Sequence, residues 1–314
     1  MVSTRLLLRS DIRRAPRRAV VTVGVFDGVH LAHQRLIRTT VTLARRLRAT
    51  SVVLTFDPDP QHVLDPTHAS PTLMPLHARV ELLCRLGVGK VWILPFTKRF
   101  ATMTAEAFIR RILIDRLHAV ALVVGDRFLC GHQRRGDLRV LKTVGPAWGM
   151  RVVALPHVTR DGRPVSSSRI RRLISRGRLS QAAKLLGRLP ALYGTVIRGA
   201  GRGHRLGFPT ANLRVIPQVL PPQGVYAVVV EIPPAHRRWR GVMNLGVRPT
   251  FGGTSLQCEA HLLGFSGRLR GRSMTLWLLE RLRAERRFST PQALTRQITR
   301  DLIRAQRIFR SHGV

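Results

Sequence analysis

Two histidines three residues apart, His30 and His33, follow a turn bracketed by Gly24 and Gly28, with Phe26 and Asp27 between the glycines. Imidazoles at the start of a helix make a phosphate-handling site, because unpaired N–H groups and the helix dipole attract anions there. A second group is Ser167, Ser168 and Arg171, hydroxyls and a guanidinium opening another helix. It suits a triphosphate, and equally a capping serine before a basic helix. A third group starts with the glycines of 199–203, Gly199, Gly201 and Gly203. Such a loop presents backbone N–H groups to phosphates, and alone it is also simply a turn. Thr210 and Asn212, two residues apart, are hard oxygen donors suited to Mg²⁺. Glu259 is one of only 16 acids and lies in an apolar stretch. A buried carboxylate there is costly without a role. That role is either chemical or an ion pair with Arg248 or Arg283.

These groups need elements to hold them. Ala19 to Val25 is a short β-branched run that predicts a buried parallel strand. Leu36, Leu43 and Leu47, interleaved with arginines, predict the helix that follows. Further strands are expected at Ser51–Phe56, ended by the prolines of 57–60, and at Val91–Pro95, Ala119–Val124 and Arg151–Leu155. A helix is expected over Leu73–Leu86 with Gly87 as its C-cap, and another capped by Thr104 and carrying Phe108, Ile112 and Leu113. Strands alternating with helices up to Leu186 indicate a parallel, doubly wound sheet. Ligands of such sheets sit at the carboxyl ends of the strands, where the first-half motifs fall. From Tyr193 the pattern changes to short β runs between Gly and Pro turns: 194–198, 225–232, 241–245, 258–265 and 273–279. This predicts a small antiparallel barrel. A helix begun by Ser289 and Pro291 closes it, with Leu294, Ile298, Leu302 and Phe309 on its apolar side. The expected division is 1–187, a linker at 188–192, and 193–314.

A chain of 314 residues has room for two domains at ~150 residues each. No apolar run approaches the roughly 20 residues of a membrane span. Leu6 to Leu8 is expected to be part of a basic arm ahead of the first strand. Cys84, Cys130 and Cys258 form neither a metal spacing nor an even-numbered disulfide set, which suits a reducing cytoplasm. The net charge is +38, and only 4 of the 54 basic residues are lysine. Such a surface attracts polyanions non-specifically. Aromatics make up 5% of the chain and form no stacking platform with the arginines, which argues against dedicated nucleic-acid binding.

The string from Gly24 to His33, G-V-F-D-G-V-H-L-A-H, resembles the H-x-G-H signature of nucleotidylyltransferases. In its longer form it resembles the adenylyltransferase module of bacterial bifunctional riboflavin kinase/FAD synthetases. T-F-D-P-D-P at 55–60, G-D-R-F-L-C-G at 125–131 and S-S-S-R-I-R at 166–171 continue that likeness. G-F-P-T-A-N at 207–212 matches the riboflavin kinase signature letter for letter. G-V-Y at 224–226, N-L-G-V-R-P-T at 244–250, E-A-H-L at 259–262 and Arg283, Glu285 and Phe288 follow in order. The likeness runs from about residue 19 to residue 301. Departures stand at Ala32 for glycine, Asp59 for histidine, Arg127 for a short polar residue, Cys130 for an aromatic, and R-L-R-G at 268–271 for D-L-Y-G.

The resemblance implies a Rossmann-like nucleotidylyltransferase domain followed by the kinase barrel. It implies ATP-dependent phosphorylation of riboflavin to FMN in the barrel, and adenylylation of FMN to FAD in the first domain, with Mg²⁺ assisting. Glu259 becomes the kinase general base. His30, His33 and Arg171 become the groups that neutralise the triphosphate, with Asp27 orienting. Gly24, Phe26, Asp27, Ser167 and Ser168 are then ATP contacts in the first domain. Gly199, Gly201, Gly203, Gly207, Pro209, Thr210 and Asn212 are those of the second, and Thr210 and Asn212 hold the metal. Asp59, Arg127, Phe128, Asn244 and Arg283 border the flavin. Slower FAD than FMN formation is expected, as is compensation between Asp59 and Arg127 if they meet. Two alternatives are a monofunctional kinase with a degenerate first domain, and an arginine-rich nucleic-acid-binding relative.

Overall fold

The computed structural model describes residues 5–7, 16–199, 208–233, 237–250, 253–286 and 288–314. The chain divides into two compact units, 1–71 with 76–167, and 72–75 with 168–314.

The first unit is built on a six-stranded parallel sheet in the order β1-β4-β3-β2-β5-β6. The strands are β1 (Arg5–Leu7), β2 (Ala19–Val23), β3 (Thr50–Asp57), β4 (Lys90–Pro95), β5 (Ala119–Gly125) and β6 (Arg151–Leu155). Four of the five expected strands fall within two residues of their predicted ends, because buried parallel strands are continuous apolar runs; Arg151–Leu155 matches outright. The exception to the expected pattern is at the amino end. Arg5–Leu7 is an edge strand pairing with β4, Leu6 opposite Val91, rather than part of an arm. Three residues carry too little period to be read without the partner.

Helix α1 (Leu31–Arg46) buries Ile37, Thr40, Val41 and Ala44, while Leu36, Leu43 and Leu47 pack at its margin against Val20, Ala121 and Val123. The short helix α2 (Pro60–Leu64) follows β3, and α3 (Leu76–Arg85) starts three residues later than expected. Thr104 caps α5 (Ala105–Phe108), its hydroxyl accepting from the Ala107 N–H at 3.1 Å. The helix then widens into a π turn over Ile109–Ile114, burying Ile109, Ile112 and Leu113 together. Between these lies the one-turn α4 (Lys98–Ala101), and α6 (Leu138–Ala147) precedes β6.

Chain direction across this sheet decides where a ligand can sit. From β2 the chain steps outward through β3 to β4, then returns to the other side of β2 with β5 and β6. The reversal lies between β2 and β5. A topological switch point of this kind leaves a crevice beyond the carboxyl ends of the two strands.

The second unit is a closed antiparallel barrel, β10-β13-β12-β11-β14-β9. Helices α7 (Ser167–Ser175) and α8 (Leu179–Leu186) precede it. Its strands are β9 (Ala191–Ile197), β10 (Thr210–Val215), β11 (Gly224–Ile232), β12 (Arg237–Thr250), β13 (Gly253–Leu262) and β14 (Ser273–Arg283). A two-residue hairpin, β7 (Thr159–Arg160) with β8 (Arg163–Pro164), belongs to the first unit. Alternate residues fill the barrel, among them Leu213, Tyr226, Met243, Leu245, Cys258 and Ala260. The closing helix α9 (Pro291–Ser311) covers the outer face of β11 and β14, where Val225, Val229 and Leu282 meet Ala305, Ile308 and Phe309. Its cap is Thr290, not Ser289: the Thr290 hydroxyl accepts from the Ala293 N–H at 3.2 Å. Strand β10 lay inside the string read for its chemistry, and its alternation Thr210-Ala211-Asn212-Leu213 is a plain period of two.

Candidate functional site

In the first unit, the turn from Gly24 to His30 leaves the carboxyl end of β2 beside the switch point. Its backbone is unusual. Phe26 and Val29 are not glycine, yet stand at φ 54° and 39°, and both are 1% exposed. Each such conformation costs about 1–3 kcal/mol and persists only where surroundings over-determine it. Side chains from four elements supply that constraint. The Val25 carbonyl accepts from Arg79 NH1 at 2.6 Å and from Thr55 Oγ1 at 3.0 Å. The Asp27 carbonyl accepts from Ser167 Oγ at 2.9 Å, and the Val29 carbonyl from Gln34 Nε2 at 3.0 Å.

His30 is the N-cap of α1, its Nδ1 accepting from the His33 N–H at 3.4 Å. The two imidazoles stack with centroids 3.6 Å apart and planes 15° from parallel, and the Phe26 ring stands edge-on to His33. His30 and Asp27 are buried. Thus the expected pairing of the two rings on one helix face is present, with His30 capping the helix rather than inside it. Gly24 and Phe26 belong to the same turn.

Asp59 caps α2, its Oδ1 accepting from the Gln61 N–H at 2.9 Å. The arginine on which it acts electrostatically is Arg79. Arg79 feels the attraction of Asp27, Asp59 and Asp57, while Arg127 is exposed beside Asp126. Asp126 itself lies below the ordinary aspartate value, held chiefly by a hydrogen bond from His157, whose Nδ1 is 2.7 Å away. Phe128 is half-buried against the sheet core. Burial pushes the Cys130 thiol up to about 12, so it stands here as an apolar filler in place of the aromatic. Ser167 thus serves as a clamp on the Asp27 carbonyl; Ser168 is exposed and Arg171 half-buried, both on α7.

In the barrel, register places the predicted groups. Asn212 on β10 and Asn244 on β12 both stand opposite Glu259 on β13. Three neighbouring strands therefore carry Asn212, Glu259 and Asn244 in one row. Their flanking residues Ala211, Leu213, Cys258, Ala260, Met243 and Leu245 point into the core, so the row faces outward. Thr210 stands opposite His261 on the same face. His261 Nδ1 lies 2.8 Å from the Pro209 carbonyl oxygen, and its ring meets Phe208 edge-on. Glu259 is half-buried, not fully buried, and accepts from Gln257 Nε2 at 2.6 Å. The Asn212 amide lies against Gly199 so closely that a Cβ at 199 would occupy its position. Gly201, Gly203 and Gly207 lie outside the described residues, as does the Arg248 side chain.

Arg283 is committed to α9. Its Nε donates to both oxygens of Asp301, at 3.1 and 2.9 Å, and its NH1 to the Ala284 carbonyl at 3.1 Å. The guanidinium also stands 5.5 Å over the Phe288 ring. Arg283 thus pairs with Asp301 and not with Glu259. Downstream, the Glu285 carboxylate rests on Gly246, where a side chain would displace it.

Three contributors escaped the sequence reading: Arg79, Gln257 and Asp301. Arg79 left a trace. It lies four residues before Leu83, on the buried face of α3, where a charge is unexpected.

Comparisons with known proteins find a family match for each half of the chain. A family model described as FAD synthetase matches residues 12–169, and one described as riboflavin kinase matches 186–309. A bifunctional riboflavin kinase/FMN adenylyltransferase of Escherichia coli (strain K12) is 34% identical over 95% of this chain and 96% of its own. One from Pseudomonas fluorescens is 36% identical over 94% of each. A crystal structure named as a macrolide-efflux protein from Streptococcus pneumoniae superposes with a TM-score of 0.85 at 29% identity, covering 96% of this chain and 98% of that one. Both halves are matched in order and nearly end to end, so the chain belongs to the family of bifunctional riboflavin kinases/FMN adenylyltransferases.

Proposed function

We propose that the chain makes flavin cofactors from riboflavin in two ATP-dependent steps. The barrel phosphorylates riboflavin to FMN. The parallel-sheet unit transfers the adenylyl group of ATP to FMN, giving FAD and pyrophosphate. The observation that carries this reading is the row Asn212–Glu259–Asn244, which sets one carboxylate between two amides on an outward barrel face.

For the kinase, Glu259 takes the proton from the ribityl hydroxyl as its oxygen attacks the γ-phosphorus, and the bond to the β–γ bridging oxygen breaks to release ADP. Gln257 and the flanking amides orient that carboxylate. The glycines of 199–203 and 207, with Pro209, cradle the phosphates. Thr210 and Asn212 offer only oxygen donors that a hard cation accepts, which fits Mg²⁺ with its remaining ligands from phosphate and water. When bound, Mg²⁺ neutralises charge on the phosphates. Asn244 borders the flavin, and Arg283, tied to Asp301 of α9, braces the segment that carries Glu285 and Phe288.

For the adenylyltransferase, His30 and His33 stabilise negative charge on the triphosphate as the FMN phosphate attacks the α-phosphorus. Gly24, Phe26 and Asp27 shape the turn that holds them. Ser167, Ser168 and Arg171 are assigned to ATP by their place in the S-S-S-R-I-R string. Asp59, Arg127 and Phe128 border the flavin. The two activities are assigned to 1–187 and 193–314, joined by 188–192. Among the described residues no helix is long and apolar enough to cross a membrane, and three free thiols fit a reducing cytoplasm. The charge of +38 gives salt-sensitive, non-specific binding of polyanions.

The test is direct. Purified protein incubated with riboflavin, ATP and Mg²⁺ yields FMN and then FAD, separated chromatographically. Absence of both products refutes the reading. On the metal, Thr210→Val and Asn212→Ala are each expected to raise the Mg²⁺ concentration for half-maximal FMN formation about tenfold. Unchanged metal titrations in both would make the string purely structural.

A further inference from the structure

The most unusual buried group outside the assigned machinery is Arg79. It lies on α3, is 3% exposed, and its Nε has no hydrogen-bond partner. Arginine is almost never fully buried without paired charge. Here the charge comes from three of the chain's 16 acids, Asp27, Asp57 and Asp59. They belong to two separate motifs, at the ends of β2 and β3. Acids are scarce in this chain, so three around one guanidinium mark a built arrangement.

We propose that Arg79 is a positioning residue for adenylyl transfer, holding the strained Gly24–His30 turn in place and balancing the aspartates at the ends of β2 and β3. The inference rests on the adenylyltransferase reading of that turn. Two separable properties do the work. The first is geometry. NH1 donates to the Val25 carbonyl at 2.6 Å and lies 3.4 Å from Thr55 Oγ1, whose own hydroxyl donates to the same carbonyl. Arg79 and Thr55 thus fix the point from which Phe26 and Val29 enter positive φ. The second is charge. Asp27, Asp57 and Asp59 bring negative charge to a region where a triphosphate and an FMN phosphate must approach, and Arg79 sets a positive charge against it. Burial pulls the guanidinium below its ordinary value, and the three carboxylates oppose that shift, so the cation persists.

Arg79→Met and Arg79→Lys separate the two properties. Met removes both charge and donors. The KM for MgATP in FMN adenylylation is expected to rise about tenfold and kcat to fall about tenfold. Riboflavin kinase turnover of the same molecules serves as the internal control. Lys keeps the charge but offers one point donor in place of a planar fork. Its KM is expected within about threefold of the parent, with kcat reduced about fivefold. A merely structural role lowers the folded fraction, and so the apparent kcat, and leaves KM alone. The proposal is overturned if Met leaves KM at the parental value, or if Lys raises KM as far as Met does. Should Arg79→Met not fold, Arg79→Lys decides alone: parental KM with reduced kcat supports the proposal, and any other pattern overturns it. A parent that forms FMN but never FAD refutes the adenylyltransferase reading instead. Amide exchange then scores Arg79, since the Val29 N–H donates to the Phe26 carbonyl inside the turn. Faster Val29 exchange in Arg79→Lys than in the parent supports the hold, and equal rates overturn it.

Discussion

Glu259→Gln is expected to lower FMN formation by about 10²–10⁴-fold, the usual contribution of a general base. The substitution is close to isosteric. Glu259 is half-buried on the outer barrel face, and its inward neighbours Cys258 and Ala260 are untouched, so the barrel is expected to fold and to bind riboflavin as before. The loss belongs in kcat rather than KM, because the carboxylate is needed only as the proton leaves. Gln257 provides the contrast. Its amide donates to Glu259 Oε1, so Gln257→Ala removes an orienting contact and leaves the base in place. A loss well below that of Glu259→Gln is expected there. Near-parental kinase turnover in Glu259→Gln would remove Glu259 from the mechanism.

His30→Asn is expected to lower FMN adenylylation by about 10²–10³-fold, the range for removing one preorganised electrostatic group. Asparagine is chosen because His30 is the N-cap of α1, and asparagine is among the best residues at that position. The helix start is therefore retained while the imidazole and its stack on His33 are lost. Thermal unfolding is expected to change little, and kinase turnover not at all, since the Glu259 row is built from barrel strands alone. Parental FAD formation in His30→Asn would dismiss the histidine pair as phosphate-handling groups. Reduced stability with a parallel loss of kinase turnover would also count against the assignment, as it would mark a general folding defect.

The departures from the family strings divide by what surrounds them. Cys130 packs against the sheet core with its thiol pushed up by burial, a substitution of filler for filler. Asp59 caps a helix and, with Asp27 and Asp57, acts electrostatically on Arg79. Arg127 points to solvent beside Asp126, and nothing in the structure explains its replacement of a short polar residue.

What the amino-acid sequence determined by itself was local. The β-branched runs, the cap at Thr104, and the change from helix-alternating to strand-only pattern each depend on residues a few positions apart. So does the identity of the motif strings. What only tertiary structure decided was pairing across distance. Arg5–Leu7 becomes a strand because β4, eighty-odd residues later, offers an edge. Glu259 meets Asn212 because β13 pairs with β10 across a long stretch of chain, and Asn244 because β12 and β13 run antiparallel in that register. Arg283 binds Asp301, and Arg79 gathers aspartates from two motifs, because packing brings helices onto strand ends. Backbone periods follow from short-range sterics and capping. The partner of a buried charge follows from desolvation, which no residue experiences until the chain has closed around it.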